Sequence, residues 1–179
     1  MDTVQEQWDA LLFDVRRSVR YHTRRREFYE KWNLSTSALS LLFGSATIFS
    51  VIKDFPGFAM AAAVLVTVTS TIDLVVGTSR MARLHFDLSR RFIALEKNMM
   101  LRSVPIAQDY SEIWAARLDI EADEPLIKRL VDVMCHNELI RAQGLDESHC
   151  KDVPFIKRVT AHLISWNYHP AAKHSKGEQ

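Results

Sequence analysis

Two stretches of the chain are almost free of charge. Residues 32–52 contain no Asp, Glu, Lys or Arg, and residues 57–78 contain only Asp73. As a helix, either stretch is roughly 30 Å long, which matches a hydrocarbon core of about 30 Å. Lys53, Asp54, Phe55 and Pro56 separate them. That is room for a tight turn only, and Pro56 followed by Gly57 is a turn signal and a helix restart. Two spans joined in this way run antiparallel. The competing reading is a buried hairpin inside a soluble bundle, but soluble core helices rarely stay uncharged around their whole circumference.

The flanks carry helical periodicity. Val4, Trp8, Leu11, Leu12, Val15 and Val19 keep helical spacing, so residues 4–31 read as an amphipathic helix. After the second span, Leu84, Leu88, Phe92, Leu95 and Met99 recur at steps of three and four. The second span is therefore expected to continue without interruption as a cytoplasmic helix to about Leu101. Its stripe can pack on the N-terminal helix or pair between protomers. Pro105 ends it. Shorter helices are expected over 110–122, from Pro125 to a stop at Gly144, and over 155–166. The tail, 167–179, reads as disordered.

Within the spans, polar and small residues fall on single faces. Asn33, Ser37, Ser40, Gly44 and Thr47 share one face of the first, and Thr69, Asp73 and Gly77 share one face of the second. Small residues let helices approach closely, and hydroxyls bond across the contact. Two readings stay open: packing between spans or copies, or the lining of a pore in an oligomer. Asp73 is the most informative residue, because an ionisable group inside a span is costly and is a functional candidate by default. Its bland alternative is a pairing with Asn33 or Arg80.

Charge sets the orientation. Arg16, Arg17, Arg20, Arg24, Arg25, Arg26 and Lys31 precede the first span; Arg80, Arg83, Arg90 and Arg91 follow the second; the turn has Lys53 alone. Basic residues stay on the cytoplasmic side, so both termini are expected there. Arg20, Arg24, Arg25, Arg26, Arg80 and Arg83 form a basic juxtamembrane set able to meet anionic lipid or a nucleotide. Residues 103–152 reverse the sign, with five bases against eleven acids. An acidic helical subdomain, 103–166, is thus expected beside a basic stalk. No basic segment leading into an early apolar run marks a signal peptide.

Chemical motifs are sparse. Cys135-His136 and His149-Cys150 fit no strong zinc spacing. The chain has five glycines and no phosphate-binding loop. Neither a serine elbow nor a clustered acid, base and nucleophile can be assembled, so neither an enzyme nor a cofactor is expected.

The run Arg24-Arg25-Arg26-Glu27-Phe28-Tyr29-Glu30-Lys31-Trp32, the following Leu42-Phe43-Gly44-Ser45-Ala46, and the stretch from Ala82-Arg83-Leu84-His85 to Phe92-Ile93-Ala94-Leu95-Glu96 resemble the SLATT family. These are two-transmembrane effectors associated with bacterial nucleotide-signalling conflict systems. The resemblance covers about residues 10–102, and the acidic region has no counterpart motif. It implies a homo-oligomeric membrane pore that kills or arrests the infected cell. It also implies a nucleotide-producing or nucleotide-sensing partner protein, and through it a nucleotide ligand. On that footing Asn33, Ser37, Ser40, Gly44 and Asp73 become pore-lining candidates.

The reading that results is an all-α membrane protein. Residues 1–102 form a two-transmembrane unit with long cytoplasmic helical extensions, followed by the small helical subdomain. Its expected role is a pore-forming effector of the bacterial inner membrane in anti-phage defence, with no direct nucleic-acid readout. The runner-up is a membrane anchor that recruits a soluble partner through its cytoplasmic helices. An enzyme acting on lipid head groups is the weakest alternative.

Overall fold

The computed structural model describes residues 3–45 and 54–166. Among these the chain is all helical, with no strand. Helix α1 spans Val4–Gly44, α2 Pro56–Val76, α3 Thr78–Met100, α4 Ala107–Glu121, α5 Arg129–Ala142 and α6 Phe155–Thr160, with a 3-10 turn at Glu147–His149 between α5 and α6. The chain divides into two units. One comprises Met1–Tyr21 with Leu88–Gln179, the other His22–Asp87.

Helix α1 starts on a reciprocal cap. The Glu6 amide donates to Thr3 Oγ1 at 3.2 Å, and the Thr3 amide donates to Glu6 Oε2 at 2.7 Å. Two of the four orphan amides of a helix start are thereby engaged or covered. The helix then runs without a break into the expected first span, as far as Gly44. The remainder of that span, Thr47 included, lies outside the described residues, as does the tail 167–179.

Helix α2 begins at Pro56, whose missing amide costs nothing in a first turn. It is long and apolar enough to cross a membrane, with a mean hydropathy of 2.0, and is the one described helix of which this holds. It does not continue into α3 as expected. Gly77 takes a left-handed conformation (φ 64°, ψ 53°), and its amide caps Asp73 O at 2.9 Å. Glycine adopts this conformation without the Cβ penalty that other residues carry. Periodicity put Gly77 on a helix face; the backbone uses it as a terminator.

In the unit of residues 22–87, α1 and α2 pack antiparallel. Phe43 meets Phe58 (ring centroids 6.5 Å apart), Ser40 Oγ lies 3.3 Å from Ser70 Oγ, and Asn33 meets Asp73, so residue numbers rise on one helix as they fall on the other. The α1 face that turns inward carries His22, Tyr29 and Thr36, seven residues apart. Seven is the repeat that keeps a seam on one side of paired helices.

In the other unit, the first turns of α1 present buried Trp8, Leu11 and Val15, and the C-terminal part of α3 presents Leu88, Phe92, Leu95 and Met99. Arg16 Nε donates to Glu96 Oε1 at 2.8 Å across these helices. A second cluster gathers Tyr21, Leu130, Val131, Cys135, Val153 and Ala161. Here the expected boundaries shift. Helix α5 begins at Arg129, not Pro125. The preceding Lys128 is extended (φ −79°, ψ 95°), and its amide donates to Tyr21 Oη at 2.9 Å. The stop at Gly144 (φ 66°) is where the sequence places it. Helix α6 ends at Thr160, not 166: a turn follows, and Trp166 Nε1 donates back to Thr160 Oγ1 at 3.0 Å.

Candidate membrane-interface site

The chemistry-bearing residues of the unit 22–87 collect near Asp73, one turn before the end of α2. Asp73 Oδ2 accepts from Asn33 Nδ2 at 3.4 Å, and Oδ1 accepts from Thr78 Oγ1. The first contact is the Asn33 pairing anticipated from the sequence. The second exists because Gly77 turns the chain so that Thr78, buried, comes back over the carboxylate.

Other polar groups on α2 are satisfied locally. Thr67, Thr69 and Thr71 each donate to the carbonyl four residues earlier, at 2.8 Å. On α1, Ser35 does the same to Lys31 O at 2.7 Å and Thr36 to Trp32 O at 3.2 Å. Such back-bonding hides a hydroxyl from an apolar surrounding. Thr69 and Asp73 share the half-buried side of α2 with buried Ala62, whereas Gly77 lies past the helix end. On α1 the packed positions are Asn33, Thr36 and Ser40, while Ser37 and Gly44 are exposed. The polar face read from the sequence therefore splits: Asn33 and Ser40 lie in the contact, and Ser37 and Gly44 lie outside it.

An open cleft of about 420 Å³ sits beside Asp73, lined by Asn33, Leu74, Thr78, Arg80 and Arg83 among others. A second, of about 240 Å³, adjoins it and shares Asn33, Ser79 and Arg83, with Arg26, Glu30 and Phe86 on its far side. Arg26 Nε donates to Glu30 Oε1 at 2.7 Å, and its guanidinium covers the Phe86 ring at 4.5 Å.

The basic set proposed from the sequence is not one surface. Arg80 and Arg83 line the cleft; Arg20 belongs to the other unit and pairs with Glu138 at 3.2 Å. Arg25 is buried, 4% exposed, so it is no surface ligand. Its guanidinium lies over the Tyr29 ring at 4.6 Å and donates to Tyr29 Oη. Arg24 is half-buried on α1.

Beside Arg25 is a feature the sequence did not disclose. His22 Nδ1 and His85 Nδ1 are 2.9 Å apart, both rings are buried, and Tyr29 stacks on His85 at a centroid distance of 5.7 Å. A contact between two imidazole nitrogens needs one to donate and the other to accept. Burial first, then His22, then Arg25, lowers the His85 pKa from 6.5 to about 3. The available sequence signal was that both histidines occupy the buried register of their helices, at 22 between Val15 and Tyr29 and at 85 between Thr78 and Phe92.

Both cysteines are free thiols. Cys135 is buried in the apolar cluster, and Cys150 Sγ lies 3.9 Å from Asn137 O. Among the described residues no three His, Cys, Asp or Glu side chains come together as a metal group. No protein-family model matches the chain, and no characterised protein or solved structure matches it either.

Proposed function

We propose that the protein is a two-span membrane effector that oligomerises in the bacterial cytoplasmic membrane and forms or gates a pore. The observation that carries this reading is the surface of α2. Only 6% of its apolar window is buried inside the chain. Met60, Leu74 and Val75 are 70%, 83% and 79% exposed. An apolar surface of that extent is stable against lipid or another protein, and costly against water. The α1 segment paired with it supplies the first span, and the arginines at both outer ends keep the termini cytoplasmic. Asp73 supports the pore reading, because a plain anchor has no use for an ionisable group on the contact side of a span. The resemblance to SLATT effectors supplies the biological setting: depolarisation of an infected cell, triggered by a nucleotide-producing or nucleotide-sensing partner.

A specific observation favours the anchor as a second reading. Both Asp73 oxygens are engaged within the chain, and the threonines of α2 are spent on their own backbone. The two readings differ in what Asp73→Asn does. Membrane potential is measured with a voltage-sensitive dye in bacteria expressing the full chain, alone and together with the genes adjacent to its own as the source of a partner, and insertion is checked by fractionation. Depolarisation by the wild type that Asp73→Asn alters, at equal insertion, supports the pore. An inserted protein that never depolarises the membrane, partner present, leaves the anchor.

A further inference from the structure

We propose that the cleft beside Asp73 binds the phosphate of an anionic phospholipid through Arg80 and Arg83. This rests on the membrane reading of α2.

Most arginines of the described chain are already engaged. Arg16, Arg17, Arg26, Arg91, Arg102 and Arg117 each hold a carboxylate. Arg80 and Arg83 have no ion-pair partner among the described residues, although both line the same cleft. They stand three apart on α3 and so project from one side of it. Two guanidiniums side by side are the arrangement that takes a phosphate with paired N–H donors.

Two carboxylates border these clefts. Asp73 accepts from Asn33 and Thr78, and Glu30 is paired with Arg26. Asp73 lines the cleft as well and its two donors are neutral, so Arg80 and Arg83 together leave the cleft with one formal positive charge in excess.

The walls decide between a lipid and a soluble phosphate. Leu74, 83% exposed, forms part of the cleft and belongs to the lipid-type surface of α2. A headgroup seated on Arg80 and Arg83 therefore has apolar helix surface beside it for its acyl chains. A nucleotide would need a face for its base. The aromatic ring in the adjoining cleft, Phe86, is covered by the Arg26 guanidinium. The level is also right, because Gly77 ends the apolar helix where the basic one begins. Basic side chains at that boundary attract anionic leaflets.

The test uses the full chain purified in a neutral detergent. Bound lipid is counted by native mass spectrometry during titration with phosphatidylglycerol, with phosphatidylcholine and inorganic phosphate as parallel probes. Arg80→Gln/Arg83→Gln is compared with Arg129→Gln/Arg158→Gln, which removes the same charge from exposed positions in the other unit. The expected result is selective retention of phosphatidylglycerol. The Arg80/Arg83 pair should lower it about 25-fold, on a factor of about five per arginine, and the control pair should leave it unchanged. Circular dichroism confirms that both variants keep their helices. Equal losses from both pairs, or equal retention of phosphatidylcholine, overturn the site. Displacement of lipid by inorganic phosphate at comparable concentration overturns the lipid assignment. Carbonate-resistant membrane association, measured alongside, separates the two levels. An inserted protein without lipid preference refutes this inference alone, and a protein that never inserts refutes the membrane reading with it.

Discussion

Replacing His85 by leucine isolates what it costs to keep an imidazole neutral inside a helix seam. His85 is 1% exposed and faces His22, Arg25 and Tyr29 from α1. Its pKa falls from 6.5 to about 3, chiefly through burial, then through His22 and Arg25. The unfolded chain therefore takes up a proton below 6.5 that the folded chain refuses until far lower pH. Stability from this group is complete above 6.5 and is lost progressively as pH falls toward 3. Between about pH 8 and about pH 5, the linkage relation gives a loss of about 2 kcal/mol, at about 1.36 kcal/mol per unit. That window lies above the range where most carboxylates titrate, and the half-buried His136, whose pKa is also lowered by its surroundings, is common to both chains and cancels in the comparison. The assay is urea unfolding of the full chain in detergent, followed by helical circular dichroism, at a series of pH values for wild type and His85→Leu. The variant loses the contact to His22 at every pH. Its difference from wild type should shrink by about 2 kcal/mol between the ends of that window. Parallel pH profiles would refute the account, because they would mean that His85 titrates alike in folded and unfolded chains.

Two further predictions concern the backbone. Gly77→Ala should cost about 1–2 kcal/mol in the same assay, the price of a left-handed alanine, since its Cβ would meet only Arg80 at an ordinary 3.7 Å; Gly77→Asn should recover part of the loss, and an unchanged midpoint for Gly77→Ala would refute the cap. Asn137 is buried and clamps the segment after the 3-10 turn, donating to Lys151 O at 2.6 Å and accepting from its amide at 2.8 Å. Asn137→Ala should destabilise by about 1–3 kcal/mol, because the Lys151 amide and carbonyl lose their side-chain partner, and a thermal midpoint equal to wild type would refute that role.

Local pattern by itself determined much of this protein. The run 58–76, charged only at Asp73, forms the body of α2, because a long apolar stretch without an internal breaker satisfies its own backbone as a helix. The stripe Leu88, Phe92, Leu95 and Met99 is the buried side of α3, since helical spacing alone puts those residues together. Gly144 ends a helix as its position past Gln143 suggested. Asp73 shares its side with Thr69 for the same geometric reason.

Tertiary structure decided what depends on partners distant along the chain. Gly77 looks identical to periodicity whether it packs on a face or caps a helix, and only the return of Thr78 over Asp73 distinguishes the two. Ser37 and Thr36 are neighbours, and which of them turns inward follows from the seven-residue register that α1 keeps through His22 and Tyr29. Arg25 reads as one more exposed base in an arginine-rich run, yet Tyr29 holds it in the interior. Helix α5 starts at Arg129 because an amide at Lys128 is claimed by Tyr21, more than a hundred positions away. The His22–His85 pair spans 63 positions. Short-range periodicity records which side of a helix is apolar; which residue meets which across a seam is settled when the helices pack.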